Sequence, residues 1–470
     1  MKICRATIID FMRRGVWRVL FILLLILLAL AAPVILSGYS ELKQAGSAKS
    51  YNEIAEHYLR AAQRLPWRAD LYELAGHAYY HAKEYQSADD MYRIAFEKNS
   101  LSPQGWAAWG DVNYLNEDKT RAVEIWTQAL QRKDFSDGIY LRLAHAEQEQ
   151  GEYAGAADYL QKYVTNQPAD AATHYQLGLL MTLTDPDQAA SELTIASQLD
   201  GQFDPAARTL LAALSRASRS DSPSQEFVVI GAGLGAVNEW ELARAAFESA
   251  VRADDTNAEA WAWLGEANQQ TVGGGIEELN QALELNPNSS VVRGLRGIYF
   301  QRIRNHRDAL TEFQAAASLD AQNPARFVSL GDAYALTGDL IRALESFQYA
   351  ASLAPGDATY WRALADFCGR YNIHVKDIGV PAAQRAVMLE DDVANKDALG
   401  WLLLLDARYP EAERILLDAL KDDPQNASVY FHLGLLYLQS GDRSRAIENL
   451  IHARDLGNSQ ADDLLKQLSP

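Results

Sequence analysis

Small residues recur along this chain at a nearly constant interval, and that interval decides what the chain can fold into. Gly76, Gly110, Ala144 and Gly178 follow one another at 34 residues. After a gap of 53, the series resumes at Gly231, Gly265, Gly297, Gly331, Ala365, Gly400 and Gly434, in steps of 34, 32, 34, 34, 35 and 34. Such a period predicts a unit of two helices that buries its apolar face only by stacking on its neighbours. The stretch from Pro324 to Gly356 carries the unit most plainly. Phe327, Leu330, Gly331 and Tyr334 fall on a first predicted helix, Gly338 at a turn, and Ala343, Phe347 and Ala350 on a second helix ending at Pro355. Gly331 and Ala343 are small where the two helices approach, while Leu330, Tyr334 and Phe347 supply bulk around them.

The same positions are filled in other units: Tyr72, Gly76, Tyr79, Tyr85, Ala88, Tyr92 and Ala95, then Trp106, Gly110, Ala122, Trp126 and Ala129, then Tyr140, Leu143, Ala144, Gly151, Tyr153, Ala156, Leu160 and Pro168. On these residues the chain resembles the tetratricopeptide repeat (TPR) family. The resemblance implies an all-α fold, a right-handed α-solenoid of about eleven TPR helix pairs; the apolar run near the N-terminus adds one transmembrane helix before it. It also implies ligand binding in a concave groove lined by the first helices. The predicted organisation is a basic N-terminus (1–18), a transmembrane helix or signal anchor (19–38), a first array (39–201), an extra helix and linker (202–223), a second array (224–458) and a capping helix (459–470).

Several places break the pattern. Tyr51 to Pro66 reads as a lone second helix after a polar spacer, so the array is expected to begin with a half unit. Asp185-Pro186 shortens one turn, Gly273-Gly274-Gly275 replaces another, and Tyr371 to Pro381 inserts polar and β-branched residues where a second helix should start. The extra stretch after Gly201 reads equally as a hinge or as a decayed half repeat.

From Val19 to Leu36 the chain runs 18 residues without a charge, long enough to cross a bilayer with Trp17 and Tyr39 at its interfaces. Lys2, Arg5, Arg13, Arg14 and Arg18 precede it, against Lys43 and Lys49 after it, which predicts a cytoplasmic N-terminus and extracytoplasmic repeats. A signal peptide cleaved near Ala29-Leu30-Ala31 and a cytosol-facing organelle anchor are the alternatives.

The net charge is −19 although the first 18 residues are positive, so the body is strongly acidic, which disfavours nucleic acid as a partner. Cys4 and Cys368 lie on opposite sides of the apolar run, and no intrachain disulfide is expected. The run Phe227 to Ala236, FVVIGAGLGA, copies a dinucleotide-binding turn, but Gly231 is in phase with Gly265, so these glycines are assigned to the repeat. His77 and His81 share a helix face as metal ligands would, yet no acid stands between them in an HExxH pattern. No nucleophile elbow or phosphate loop is present, and neither cofactor nor metal nor catalysis is expected.

By phase, the groove of the first units includes Glu73, His77, Tyr80, His81, Asp111 and Tyr114, a polar, aromatic and acidic trough. That of the last units includes Arg362, Asp366, Arg370, Trp401, Leu404, Phe431, Leu435 and Leu438, with an apolar end suited to a partner helix. The expected function is that of a membrane-anchored, non-catalytic scaffold or assembly factor for protein partners, expected to be other membrane or envelope proteins. A cytosol-facing docking or import receptor, and a recognition subunit of a separately encoded transferase, are the other readings.

Overall fold

The computed structural model describes residues 3–468, and in the first helix the side chains of Leu20, Ile22–Leu27 and Ala29 onward. The basic side chains of Lys2, Arg5, Arg13, Arg14 and Arg18 lie outside the described residues. The chain divides into two units between Leu211 and Ala212.

The first unit holds α1 (Ile3–Ala45), α2 (Tyr51–Arg64), α3 (Asp70–His81), α4 (Tyr85–Glu97) and α5 (Pro103–Leu115). It continues with α6 (Lys119–Ala129), α7 (Gly138–Glu149), α8 (Tyr153–Asn166), α9 (Ala171–Met181) and α10 (Pro186–Leu199). The division falls inside α11 (Asp204–Ala217), which follows a short 3-10 turn. The second unit holds α12 (Pro223–Ala236), α13 (Trp240–Ala253), α14 (Ala258–Thr271), α15 (Ile276–Leu285), α16 (Ser290–Arg302), α17 (His306–Leu319), α18 (Pro324–Leu336) and α19 (Leu340–Leu353). It ends with α20 (Ala358–Tyr371), α21 (Val380–Leu389), α22 (Val393–Leu405), α23 (Tyr409–Asp422), α24 (Ala427–Gln439), α25 (Arg443–Asp455) and α26 (Ser459–Leu468). All regular structure among the described residues is helical, in successive hairpin-connected pairs.

Each pair with a glycine at the small position is locked by one small-on-large contact. A Cβ added at Gly76 would lie 2.9 Å from the Tyr92 ring, at Gly110 2.0 Å from Trp126, at Gly297 2.6 Å from Phe313 and at Gly331 2.8 Å from Phe347. In every one of these the large residue follows sixteen positions after the glycine, the distance that carries the chain up one helix, round a turn and back to the same level. The irregular pairs keep the contact and shorten the turn instead. Gly178 meets Leu193, one residue sooner, across the Asp185-Pro186 turn. Gly265 meets Leu279, two residues sooner, which accounts for the short 32-residue step. That tight turn uses Gly273, Gly274 and Gly275 at φ of 77°, 115° and 92°, and brings Gly275 O to 2.7 Å from the place a Gly265 Cβ would take. Only glycine fits such a backbone without strain.

The segment after Tyr371 becomes a single π turn, Val375–Gly379, running into α21. Gly379 lies against Cys368 and Leu402, so this insertion packs into the core. The dinucleotide-like residues Gly231, Gly233 and Ala236 sit inside α12, where a Cβ added at Gly231 would lie 2.5 Å from the Phe247 ring.

The start of the array departs from the expectation of a half unit. α1 continues as one helix to Ala45, and its end is the missing partner of α2: Ile35 and Leu42 pack on Ala61, Ala62 and Leu65. Gly38 repeats the small-on-large contact, with its would-be Cβ 2.6 Å from Leu65 Cγ. The reason is that α2 alone would leave its buried Ala55, Ala61 and Ala62 facing water. Within the stretch Ile22–Ala45 the most apolar 18-residue window has a mean hydropathy of 2.5, and 6% of that window is buried.

Candidate functional site

In the first unit the trough forms where α3, α5 and α7 lie side by side. Tyr80, Asp111, Tyr114, Trp126, Arg142 and His145 line a cavity of about 330 Å³. A neighbouring hollow of about 630 Å³ is bounded by Tyr114, Lys119, Val123, Thr127, Glu149 and Gln150. Arg142 reaches across one repeat to grip Asp111 with both branches, at 2.5 and 2.7 Å. Tyr114 donates to Glu149, whose carboxylate also takes Lys119 Nζ at 2.6 Å, and its hydroxyl stands 3.3 Å from His145 Nδ1. Burial and the Glu149 carboxylate push the Tyr114 phenol up to about 12. These side chains bridge consecutive first helices, so they fix the trough's shape as well as its polarity.

Two predicted members of this trough have other work. Glu73 is buried; its carboxylate accepts from Ser102 N at 2.7 Å and from the Ser102 hydroxyl, the N-cap of α5. Burial pushes the Glu73 carboxyl up, but the hydrogen bonds from His77 and Ser102 outweigh it and hold the group below the usual range. His77 is held at both nitrogens, by the Tyr92 hydroxyl at 2.8 Å and Glu73 at 3.4 Å. His81 is exposed and lies against the rings of Tyr51 and Tyr80, at 5.2 and 5.4 Å. Among the described residues no three metal-ligating side chains converge.

In the second unit Arg362, Asp366, Asp397, Trp401, Ser428 and His432, from α20, α22 and α24, line a cavity of about 430 Å³. Asp397 accepts from Ser428 Oγ at 2.6 Å and pairs with His432 Nδ1 at 2.7 Å. His432 stacks on Trp401 at 5.4 Å with the rings 4° apart. The Trp401 ring in turn lies over Gly369, where a Cβ would come within 2.7 Å. Arg362 makes only long contacts, 3.3 Å to Asn395 and 4.0 Å to Asp392, and Arg370 sits 3.7 Å from Asp332. Burial pushes the Asp366 carboxyl up to about 6, against the pull of Arg362 and Arg370. The cavity therefore offers an under-paired carboxylate, a guanidinium and an aromatic plate within one groove.

The apolar end is not an open groove. Leu404 is 6% exposed and belongs to the core with Leu402, Leu403 and Leu433, so it leaves the candidate surface. Phe431 and Leu438 pack with Leu450, Ala453 and Ala461, together with Leu464, Leu465 and Leu468 of α26. Leu435 is half-buried against the same core as Leu404. An open array must cover its last apolar face, and α26 uses these side chains to do so. Asp397, Arg142 and His432 were absent from the sequence candidates. Asp397 stands 35 residues after Arg362, the same phase one repeat on, and that spacing would have found it.

The tetratricopeptide repeat model matches residues 107–171, 233–290, 295–358 and 398–450, just over half the chain. Small glutamine-rich tetratricopeptide repeat-containing protein 2 of Mycosarcoma maydis is 30% identical over 93 residues, 20% of this chain and 26% of that protein. The match thus spans about a quarter of its curated relative's length. Among solved structures, yeast Tom70 aligns over 93% of this chain and 94% of its own with a TM-score of 0.40 and 16% identity. Pseudomonas aeruginosa pilF aligns over 53% of this chain and 98% of its own, with a TM-score of 0.36 and 17% identity. With a helix pair at every period and the family model matching in both units, the chain belongs to the tetratricopeptide repeat family.

Proposed function

We propose that this protein is a membrane-anchored, non-catalytic scaffold that binds protein partners along its first-helix grooves, on the extracytoplasmic side of the membrane. The observation that carries the reading is the pair of open, polar-aromatic cavities, each built across three consecutive first helices. Such a surface suits an extended segment whose side chains alternate between an aromatic plate and charged groups. The cavity around Asp366 and Trp401 is the preferred contact, because its charges are the less committed. Asp111 and Arg142 already satisfy one another, whereas Arg362 makes only a 3.3 Å hydrogen bond to Asn395 and a 4.0 Å contact with Asp392, and burial pushes the Asp366 carboxyl up.

Membrane placement is supported by the apolar, exposed stretch of α1 and by the excess of basic residues before it. Tethering confines the grooves to the membrane surface and raises their effective concentration toward neighbours there, so each contact needs only modest affinity. Chemical crosslinking in native membranes, read by mass spectrometry, tests the proposal. Recurrent adducts between the α20–α24 groove and other membrane-associated proteins support it; adducts confined to the α3–α7 trough would move the binding site there. Protease added to intact cells separates the proposed sidedness from a cytosol-facing receptor. Repeats digested without permeabilisation support the former, and repeats protected until the cell is opened support the latter.

A further inference from the structure

The α1–α2 hairpin has a definite direction. Lys49 N and the Glu53 carboxylate meet at its turn, at 3.2 Å. Further back along α1, Glu41 takes His57 Nδ1 at 2.6 Å, Arg60 Nε at 3.2 Å and Arg64 Nη1 at 2.5 Å. Furthest back, Gly38 abuts Leu65 and Arg64. As α1 runs away from its apolar stretch, α2 therefore runs back toward it, and the turn from Leu65 to Ala69 arrives at the level of Gly38 and Tyr39.

That level is where α1 ceases to be apolar. The 18 residues from Val19 to Leu36 span about 27 Å at the helical rise, close to the roughly 30 Å of a hydrocarbon core. Val34 and Leu36 just before it are 49% and 70% exposed, and Tyr39 is 49% exposed. At the tip of the returning turn, Trp67 is 57% exposed, and it is the one tryptophan among the described residues that the fold leaves so open. Arg64 and Arg68 flank it. Arg68 pairs with Asp70 at 2.7 Å.

We propose that the α2–α3 turn, with Trp67 at its tip, is a second membrane contact, seated in the headgroup zone of the bilayer beside the exit of α1; this rests on the reading of α1 as a membrane span. Tryptophan and tyrosine favour that zone because one part of each ring system is apolar and another donates a hydrogen bond. Arginine stems lie along apolar surface while their heads stay among phosphates and water. Because the end of α1 is itself half of the first helix pair, span and array are joined by packing, and the turn gives the first pair two points of support at the membrane surface.

The test uses the full chain reconstituted in phosphatidylcholine vesicles. Cys4 is replaced by Ser, Cys368 is buried, and a single environment-sensitive fluorophore is attached through Trp67→Cys or, as the comparison, Met388→Cys, which is 76% exposed in the second unit. Both positions are surface ones, so neither substitution disturbs the core. Flotation with the vesicles is measured first. The proposal predicts that the chain floats, and that the label at 67 is blue-shifted, quenched by a headgroup nitroxide lipid and shielded from aqueous iodide, while the label at 388 is none of these. A chain that floats with the label at 67 as open to iodide as that at 388 overturns the second contact alone. A chain that does not float overturns the membrane reading of α1 and the second contact with it.

Discussion

Replacing Gly110 by alanine sets two effects against each other, and the structure decides which wins. Alanine is favoured over glycine inside a helix by about 1 kcal/mol. The new methyl group, however, would lie 2.0 Å from Trp126 Nε1 and 2.4 Å from Cδ1, far inside contact distance. Trp126 is buried and donates from Nε1 to Ala107 O at 3.1 Å, so it cannot move aside without losing that bond. Overpacking of this kind costs about 1–3 kcal/mol, and a buried donor left unpaired about 1–3 kcal/mol more. After subtracting the helix gain, the net loss is about 1–5 kcal/mol. In an array whose units stabilise only their neighbours, that loss is felt locally, so hydrogen exchange by mass spectrometry is the suitable assay. Peptides covering 103–129 should exchange at least about 5-fold and up to about 4,000-fold faster, since each 1.4 kcal/mol is a factor of about ten. Gly356→Ala is the control, because a Cβ there meets nothing within 4 Å, and it should leave exchange unchanged or slightly slower. If Gly110→Ala slowed exchange as the control does, the claim that the period is enforced by small-on-large contacts would be wrong.

Glu73→Ala should cost about 2 kcal/mol, seen as lost exchange protection in the first turn of α5, because Ser102 loses its carboxylate partner. Leu404→Ala should lower the urea midpoint by the equivalent of about 2–5 kcal/mol in the last pairs, the cost of a core cavity; a variant as stable as the parent would return Leu404 to the surface. Burial raises Asp366 to about 6, above the roughly 3.9 of an unfolded aspartate. The folded chain thus holds that proton more tightly, so the stability it confers is full below about pH 4 and is lost as pH rises through about 6. Asp366→Asn should accordingly raise the urea midpoint at pH 8, by the equivalent of about 3 kcal/mol, and leave it unchanged at pH 3.5.

The period was legible because its cause is local. Gly331 and Phe347 lie within one hairpin, and neither contact nor spacing depends on what stacks beyond it. Even the irregular units kept the contact and changed the turn, so Gly265 could be placed by phase despite the triple glycine. The groove was less legible because exposure on a first helix depends on the next pair. Phase puts Glu73 and Leu404 on the groove-facing helices, yet Ser102 and the core around Leu402 cover them. Phe431 and Leu438 were hidden by α26, whose sequence showed a cap but not which side chains it would meet. The continuation of α1 into the first pair was missed because the Ser, Gly and Lys residues after Leu36 read as a spacer; Gly38 before Leu65 is the small-on-large signature that would have marked it.

The central claim is that partners are held in the first-helix groove and not on the opposite face. It is tested most directly by a photo-crosslinking amino acid placed at Trp401, inside the cavity of α20, α22 and α24, and separately at Met388 on the second helix of the preceding pair. Irradiation in native membranes should give discrete higher-mass adducts from position 401 that disappear when Asp366 and Arg362 are both replaced by alanine, and none from position 388. Adducts from position 388 with none from 401 would contradict the account.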